Sequence, residues 1–255
     1  MTALEGRTAV VTGAGRGIGA AVARRLAADG AAVVVNYRSS ASAADEVAGS
    51  IRDVGGRAIT VQGDVGEEGV SEALVAAAVA EFGGLDVFVS NAGIEHFGAL
   101  PTITKQQVDD VFSINVTAQL LAAQAAAAVM GEGGSIILMS SVSRRMSVFE
   151  HSVYAASKAA IQAMVRNLAP ELGARGIRIN AIAPGGTNTD MAAEVASLYT
   201  HPLLRDLPQE VQLRVPTALQ RFAEPTEIAA AIAFLAGPDA SYVTGSTMEV
   251  DGGMS

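Results

Sequence analysis

A glycine-rich turn close to the start of the chain limits the choice of fold. The β-branched run Thr8–Val11 leads into TGAGRGIG at Thr12–Gly19, and a helical pattern, AVARRLAADG, follows. A strand that enters a helix through such a turn presents backbone amides that bind phosphate at the helix N-terminus. Gly13 and Gly17 allow the backbone to turn and approach a pyrophosphate, and Gly19 allows the helix to pack against the strand. The alternative is a turn that joins two elements and binds nothing.

Strands and helices then alternate along the chain. The predicted strands are Thr8–Val11, Ala32–Asn36, Arg57–Gln62, Leu85–Ser90, the run SIILMSS ending at Ser141, Ile177–Ile182 and Thr247–Val250. The predicted helices include Ala41–Val54, Glu67–Phe82 and Pro225–Leu235, one helix around Asn115 and one around Tyr154. This alternation predicts right-handed crossovers and one doubly wound α/β parallel sheet with helices on both faces.

One segment breaks the alternation. Asp190–Thr217 is predicted to be long and irregular, and long insertions of this kind often form a lid over a site. We therefore expect a single domain over residues 1–255 with a substrate lid at about 190–217.

Composition excludes several classes of function. The net charge of −9 is spread along the chain without a run of Lys and Arg, so nucleic acid and anionic membranes are not expected as partners. With no cysteine, the chain has no disulfide or thiolate chemistry, and we expect no bound metal. No apolar run approaches the roughly 18 residues of a membrane span, and the start does not resemble a signal peptide. The expected location is cytoplasmic.

The end of the second strand indicates which dinucleotide is preferred. Dinucleotide-binding folds usually carry Asp or Glu there for the ribose 2′-hydroxyl, whereas this chain has Asn36, Tyr37, Arg38 and Ser39. Arginine binds a 2′-phosphate through charge-assisted hydrogen bonds, and Arg16 in the glycine-rich turn is a second candidate cation. NADP(H) is therefore favoured over NAD(H). Each arginine taken singly is also consistent with an ordinary surface charge.

Polar residues follow several other strands. Asp64 either accepts a hydrogen bond from the adenine amino group or caps the helix Glu67–Phe82. The turn Asn91-Ala92-Gly93 lies where open α/β sheets bind ligands, although Asn91 is equally suited to clamping the neighbouring loop.

Two further polar positions have open alternatives. Asn115 within a helix is unfavourable unless its side chain has a hydrogen-bonding role. Thr187 and Thr189 are suited either to binding the nicotinamide amide and the phosphates or to capping the next helix.

A constellation for proton transfer occupies the middle of the chain. Tyr154 and Lys158 lie four residues apart in a predicted helix, so both side chains point from one face. A free tyrosine has a pKa of about 10, and a nearby cation lowers it, as an acid/base tyrosine requires. Ser141 ends a predicted strand, where its hydroxyl is suited to holding a carbonyl oxygen.

Together, the segments TGAGRGIG, NAG, SIN, Ser141, YAASK, PGG and DGG resemble the short-chain dehydrogenase/reductase family in their order along the whole chain. The resemblance implies a Rossmann-like fold, a homotetramer and hydride transfer between a nicotinamide and a carbonyl/alcohol pair. It implies that Tyr154 is the acid/base, that Lys158 lowers its pKa and binds the nicotinamide ribose, and that Ser141 polarises the carbonyl. Asn115 would anchor a water molecule in a proton relay.

Carried over by position, the expected cofactor-binding residues cluster at the strand ends. They are Gly13, Arg16, Gly17, Ile18, Gly19, Asn36, Arg38, Ser39, Asp64, Val65, Asn91, Ala92, Gly93, Tyr154, Lys158, Pro184, Gly185, Thr187 and Thr189.

Within the family, VVVNYRSS, SVSRRMSVFEHSVYAASKAAI and PGGTNTDM are most similar to hydroxynaphthalene-reductase-like enzymes, which reduce aromatic polyketide ketones with NADPH. Other parts are similar to glucose dehydrogenases and 3-oxoacyl-acyl-carrier-protein reductases. A nucleotide-sensing protein without turnover is the alternative of a different class. The residues expected to set substrate choice are Glu95, His96, Phe97, Ser141, Ser143, Arg144, Phe149, His151, Gly186 and Tyr199. Arg144 and Arg145 are suited to an acidic substrate, an interface or solvent.

Overall fold

Seven parallel strands form the centre of the molecule in the order β3-β2-β1-β4-β5-β6-β7. The computed structural model describes residues 3–201, 203, 206 and 217–254. The strands are β1 (Thr8–Val11), β2 (Ala32–Tyr37), β3 (Arg57–Gln62), β4 (Val87–Ser90), β5 (Ser135–Met139), β6 (Arg178–Pro184) and β7 (Thr247–Val250). The strand order reverses between β1 and β4, which is the topological switch point of a doubly wound sheet. The predicted fold class, a Rossmann-like parallel sheet, is confirmed.

Helices cover both faces of the sheet, as predicted. The helices are α1 (Gly17–Ala28), α2 (Ala41–Asp53), α3 (Val70–Phe82), α4 (Lys105–Phe112), α5 (Ala118–Val129), α6 (Ser152–Gly173), α7 (Asp190–Tyr199) and α8 (Pro225–Ala236). The helices α1, α2 and α8 share one apolar core with the sheet, and α3, α5 and α6 share the other.

The strands are buried on both faces, which explains their nearly continuous apolar sequences. In β2, Val33 and Val35 belong to the core on the α1 side, and Val34 between them belongs to the opposite core. Much of the helix surface that meets the sheet is alanine, as at Ala122 and Ala126 in α5. Small side chains allow close packing, which suits a chain with only 4% aromatic residues.

A continuous helical stretch, Lys105–Val129, is formed by α4, a π-helical turn and α5. By length and composition it is apolar enough to cross a membrane, with a mean hydropathy of 1.3, and half of that window is buried inside the protein. The prediction concerned unbroken apolar runs, and this stretch is not one, because polar residues stand between its alanines.

The prediction that Asp190–Thr217 is irregular was wrong for its first part. Asp190–Tyr199 is the helix α7, and the Thr189 hydroxyl caps it by accepting a hydrogen bond from the Ala192 amide at 3.1 Å. The acidic Asp190 in the first turn also favours a helix start. The rest of the proposed lid, at 202, 204–205 and 207–216, lies outside the described residues.

The third helix also begins later than predicted. It starts at Val70 instead of Glu67, directly after Gly69, whose φ of 82° is readily available only to glycine. Asp64 lies before this glycine and does not cap the helix. Its Oδ1 accepts a hydrogen bond from the Gly66 amide at 3.0 Å instead.

An ion-pair cluster joins the segment after β5 to β7 at the edge of the sheet. Arg144 pairs with Glu249, and its side chain is only 1% exposed. Arg145 also contacts Glu249, at 3.1 Å, but its side chain is 57% exposed. Arg144 in addition donates a hydrogen bond to the Ser141 carbonyl at 3.2 Å. The structure shows an internal ion pair for these arginines, a role that was not among the three considered from the sequence.

We expect the two arginines to differ in their contribution to stability. Arg144→Ala removes a buried charge-assisted hydrogen bond and should lower the free energy of unfolding by about 2–3 kcal/mol. Arg145→Ala removes an exposed partner of the same carboxylate and should cost less than about 1 kcal/mol. Urea denaturation of both variants measures the difference, and equal losses would contradict this account of the cluster.

Candidate active site

The polar residues of interest converge where the strands end. In a parallel sheet the carboxyl ends of all strands lie at one edge, and ligands bind there at the switch point. The glycine turn (Thr12–Gly19) follows β1, the Asn91 turn follows β4, Ser141 follows β5 and the Pro184–Thr189 loop follows β6. The fold therefore brings these four segments to one edge.

Asn36 holds the glycine turn in place through hydrogen bonds. Its Oδ1 accepts a hydrogen bond from the Gly13 amide at 3.2 Å, and its Nδ2 donates to the carbonyls of Val61 at 3.2 Å and Gly63 at 3.1 Å. The residue is 1% exposed. Asn36 was predicted to contact the cofactor, but protein groups already occupy its side chain, so its observed role is to position the turn.

Thr12 and Asn91 clamp the ends of β1 and β4 together. The Thr12 hydroxyl accepts hydrogen bonds from the amides of Asn91 at 2.9 Å and Ala92 at 3.0 Å. The Asn91 Nδ2 donates to the carbonyls of Thr12 at 2.9 Å and Gly13 at 3.3 Å. Of the two roles considered for Asn91, the structure shows the clamp. Thr12 was not among the predicted site residues, although it is the first residue of the glycine motif.

The glycine turn is shaped by close backbone contact. A Cβ at Gly19 would lie 2.4 Å from the Gly13 carbonyl oxygen and 2.6 Å from the Asn91 Nδ2. Gly13 and Gly17 have φ values of +60° and +55°. Among the described residues, no side chain caps α1, so its first-turn amides have no capping partner. A cradle of this shape fits a pyrophosphate.

The two candidate cations lie beside this cradle with their side chains largely exposed. Arg38 has 63% of its side chain exposed and lies 3.8 Å from Asp64, and Arg16 has 64% exposed and lies 3.9 Å from Asp190. Such long, exposed ion pairs are weak, so both guanidinium groups can turn toward a phosphate.

Four other predicted cofactor positions differ in their surroundings. Ser39 is exposed beside Arg38, Val65 is half-buried, Ile18 packs against the core, and the amide of Ala92 is held by Thr12.

Ser141, Tyr154 and Lys158 come together between β5 and α6. Lys158 is buried, and its Nζ donates a hydrogen bond to the Met139 carbonyl at 3.0 Å and lies 5.4 Å from the centre of the Tyr154 ring. The Ser141 Oγ lies 3.2 Å from the Ser143 Oγ, to which it donates a hydrogen bond. The sequence prediction that these three side chains share one site agrees with this geometry.

Ser140 has a different role from its neighbour. Its hydroxyl donates to the Lys158 carbonyl at 2.8 Å and is buried, so it fastens α6 to the end of β5. This supports the choice of Ser141 over Ser140 as the carbonyl-binding serine.

Burial controls the ionisation of this group. Burial raises the pKa of Tyr154 well above its ordinary value, the Glu95 carboxylate raises it further, and the hydrogen bond with Ser141 lowers it. Burial lowers the pKa of Lys158 to about 8, and the charge of Glu95 opposes that change. The expectation that Lys158 depresses the pKa of Tyr154 is not met in this structure, because burial and Glu95 have the larger effect.

Asn115 lies in the π-helical turn Ser113–Thr117 and is fully buried. Its Oδ1 accepts from the Ile94 amide at 2.9 Å, and its Nδ2 donates to the Ile94 carbonyl at 2.9 Å and to the Ser157 Oγ at 3.2 Å. The predicted hydrogen-bonding role is thus present, but its partners are protein groups. The water-anchoring role stays a prediction.

Gly93 allows two of these side chains to come close to the turn after β4. A Cβ there would lie 3.1 Å from the Asn115 Oδ1 and 3.4 Å from the Lys158 Nζ. The glycine of the Asn91-Ala92-Gly93 turn is therefore needed to admit the lysine.

Gln119 is a second residue that the sequence analysis did not select. Its Nε2 donates to the carbonyls of Asn115 at 2.8 Å and Met139 at 3.1 Å, and its Oε1 accepts from the Met139 amide at 2.8 Å. Gln119 thereby fixes the carbonyl that accepts the hydrogen bond from Lys158. The sequence does not distinguish Gln119 from Gln124 in the same alanine-rich helix, whose side chain is exposed.

The loop after β6 is packed tightly against two other segments. A Cβ at Gly185 would lie 2.8 Å from the Asp251 Cα, and one at Gly186 would lie 2.5 Å from the Phe222 ring. Pro184 is buried at the end of β6. Gly186, predicted to contact substrate, therefore lies against Phe222.

The two threonines of this loop are also engaged within the protein. Thr187 donates to the Gly185 carbonyl at 3.0 Å, and Thr189 caps α7. A Cβ at Gly17 would lie 3.3 Å from the Thr189 methyl carbon, so α7 begins beside the glycine turn. Capping, one of the two roles considered, is what the structure shows for Thr189.

Phe97, His151, Tyr154 and Tyr199 form an aromatic cluster at the start of α6. His151 stacks on Phe97 with ring centres 4.3 Å apart and on Tyr154 with ring centres 4.7 Å apart. Glu95 lies 2.6 Å from the His151 Nε2 and accepts a hydrogen bond from the Tyr199 hydroxyl at 2.9 Å. The structure therefore brings together residues that the sequence named only as separate candidates.

The remaining substrate candidates have mixed environments. Ser143 is buried next to Ser141. His96 is half-buried, and neither of its ring nitrogens has a hydrogen-bond partner among the described residues. Phe149 is exposed and meets His201 edge-on, with ring centres 5.9 Å apart. The structure does not bring Phe149 into the aromatic cluster.

Comparison with known proteins agrees with this geometry. Residues 13–255 match a family model described as Enoyl-(Acyl carrier protein) reductase. The chain is 41% identical over 252 residues to a probable tetrahydroxynaphthalene reductase of Zymoseptoria tritici, covering 98% of this chain and 94% of that protein.

Two solved structures are similar over almost their whole length. A short chain dehydrogenase from Burkholderia cenocepacia in complex with NADP has a TM-score of 0.89 and 40% identity, covering 99% of each chain. The landomycin C-6 ketoreductase LanV with bound NADP and rabelomycin has a TM-score of 0.86 and 34% identity, covering 99% of this chain and 97% of that one.

The close contact at Gly19 can be tested by adding a methyl group. Gly19→Ala should lower the free energy of unfolding by about 1–3 kcal/mol, because backbone and the Asn91 amide must move apart. Gly49→Ala is the matched control: nothing lies within 4 Å of its Cβ position inside α2, so we expect stabilisation of about 0.5–1 kcal/mol. Thermal and urea denaturation measure both changes, and a neutral Gly19→Ala would refute the close packing.

Proposed function

Because this chain belongs to the short-chain dehydrogenase/reductase family, we propose that it is an NADP(H)-dependent ketoreductase in which Tyr154 exchanges a proton with the substrate oxygen. The observation that carries the proposal is the meeting of Ser141, Tyr154 and Lys158 beside a glycine cradle at one edge of the sheet. The substrate class is a cyclic or aromatic ketone of polyketide type.

The choice of cofactor follows from the charges around the cradle. The residues fit a dinucleotide, because the amides at the start of α1 face a pyrophosphate site and Arg38 follows β2 where an acidic residue would repel a 2′-phosphate. The Burkholderia cenocepacia relative is in complex with NADP. When bound, the nicotinamide supplies or accepts the hydride.

Tyr154 is suited to donating a proton to a ketone. The hydroxyl is protonated at neutral pH, but burial raises its pKa and makes it a weaker acid, so donation to the ketone oxygen depends on the Lys158 ammonium stabilising the phenolate that forms. Ser141 supplies a second hydroxyl donor for the same oxygen, in a site from which bulk water is largely excluded.

Lys158 completes the proposed proton path. Its pKa of about 8 leaves the ammonium mostly charged at neutral pH but able to exchange a proton. We assign it binding of the nicotinamide ribose and return of a proton to Tyr154, with Asn115 and a water molecule as the connection to solvent.

The aromatic cluster supports a planar substrate. His151 stacks on the Tyr154 ring, Phe97 and Tyr199 pack against His151, and flat ring systems pack well against such surfaces. Two of the similar proteins carry the names tetrahydroxynaphthalene reductase and landomycin C-6 ketoreductase, and the latter was solved with rabelomycin. These names support a polycyclic ketone for this chain.

We also propose that the enzyme is a cytoplasmic homotetramer of single-domain subunits with a lid at 190–217. Exposed apolar side chains on α3 and α5, namely Val79, Leu120 and Val129, provide a surface for association. Light scattering coupled to size-exclusion chromatography tests the assembly, and a monomer would overturn that part.

Oxidation of NADPH against a substrate panel tests the function. The panel contains a tetralone or naphthol-type ketone, a quinone and an acetoacetyl thioester, with glucose and NADP⁺ in the reverse direction. Turnover restricted to the bicyclic ketones supports the proposal. Turnover only on the thioester or on glucose would replace the substrate class, and tight NADPH binding without turnover would indicate a sensor.

Tyr154→Phe should retain NADPH affinity and lose turnover. Removing the phenolic hydroxyl removes the proton donor while leaving the ring that stacks on His151, so kcat should fall by about 10²–10⁴-fold. Tyr242→Phe is the matched control, because that side chain is fully exposed. Fluorescence titration with NADPH and steady-state rates measure the two effects, and near-normal turnover would exclude Tyr154 as the acid.

Arg38→Asp should shift the cofactor preference toward NAD(H). The carboxylate would repel the 2′-phosphate and accept a hydrogen bond from a free 2′-hydroxyl. Arg24→Asp, an exposed change toward the other end of α1, controls for net charge. The measured quantity is the ratio of kcat/KM for NADPH and NADH, and an unchanged ratio would refute the assignment of Arg38.

A further inference from the structure

A single carboxylate joins three segments around the proposed acid. Glu95 follows the turn after β4, and its side chain is only 12% exposed. One of its oxygens lies 2.6 Å from the His151 Nε2, just before α6, and the other accepts a hydrogen bond from Tyr199, the last residue of α7. Both oxygens are therefore used, each by a different element.

The first of these contacts fixes a ring against Tyr154. His151 is 2% exposed and lies between Phe97 and Tyr154, with interplanar angles of 6° and 10°. A histidine held at one nitrogen by a carboxylate cannot rotate about its ring axis without losing that bond. Glu95 thus keeps a flat surface behind the phenol that must donate the proton.

The second contact holds the end of α7. No described side chain of α7 is buried, so the helix gains little from apolar packing. At its start, Thr189 lies against the glycine turn, and at its end the Tyr199 hydroxyl is bound to Glu95. The helix therefore runs from the cofactor cradle to the aromatic cluster, where the Tyr199 hydroxyl is hydrogen-bonded to Glu95 and to Ser143.

We propose that Glu95 is a positioning residue that fastens α7 over the substrate through Tyr199 and holds His151 against Tyr154. The inference rests on the proposed function, because it assigns Glu95 a role in a reaction at Tyr154. It assigns to α7 the role of covering the ketone.

The charge of Glu95 affects how activity depends on pH, because it changes the pKa of Tyr154 and of Lys158. The titratable groups that face it are His151, Tyr154 and Lys158 from α6 and its N-terminal end, Tyr199 from α7 and His96 from its own segment. The carboxylate raises the pKa of both Tyr154 and Lys158. Oxidation of an alcohol needs the Tyr154 phenolate, so removing the Glu95 charge lowers the pH at which oxidation begins. Removing that charge also lowers the pH at which Lys158 loses its proton.

Two variants separate the two contacts. Tyr199→Phe removes only the fastening of α7, so KM for the ketone should rise about tenfold, while kcat stays within about threefold because Tyr154 is unchanged. Glu95→Gln removes the charge and retains a hydrogen-bonding side chain, so the whole pH profile of alcohol oxidation should move to lower pH. Tyr242→Phe and Glu81→Gln, both exposed, are the matched controls.

Amide hydrogen exchange of residues 190–199 tests the fastening without any turnover. Exchange in this helix should become faster in Tyr199→Phe and in Glu95→Ala, and should be unchanged in both controls. If the wild type reduces no ketone, the proposed function fails and the exchange data alone decide whether Glu95 holds α7. Unchanged exchange, or an unshifted pH profile in Glu95→Gln, would overturn the inference.

Discussion

The clamp between the ends of β1 and β4 is the contact on which the site depends. At this point the sheet reverses its order, and Thr12 and Asn91 hold the two half-sheets together through four hydrogen bonds. The same contact leaves no room for a side chain at Gly19 and so sets where α1 begins. The glycine turn and the turn after β4 are therefore held at a fixed distance from each other.

Most of the architecture could be predicted because the relevant signals are local. Unbroken apolar runs such as Val33–Val35 indicate strands buried on both faces, and the glycines of the first turn specify its backbone shape. The helical spacing of Tyr154 and Lys158 likewise places them on one face. By contrast, the sequence did not predict α7. The helix is capped by Thr189, but the prolines and mixed residues that follow it in the chain suggest an irregular segment.

Residue roles were harder to predict where a side chain has a partner far along the chain. Asn36 was expected to meet the cofactor, but its partners at Gly13, Val61 and Gly63 come from two other segments. The ionisation of Tyr154 was expected from its helical neighbour alone, whereas burial and Glu95 dominate it. The partners of Asn36 and the pKa of Tyr154 depend on tertiary packing, which the spacing of residues along the chain does not reveal. The errors therefore concern the roles of individual side chains more than the fold.

The distribution of aromatic residues has an optical consequence. The chain has no tryptophan and four tyrosines, so its intrinsic ultraviolet emission comes from phenols alone. Two of the four, Tyr154 and Tyr199, lie in the aromatic cluster, and the Tyr199 hydroxyl donates a hydrogen bond to the Glu95 carboxylate. The protein therefore carries a label-free reporter in this cluster, against a background from only Tyr37 and Tyr242.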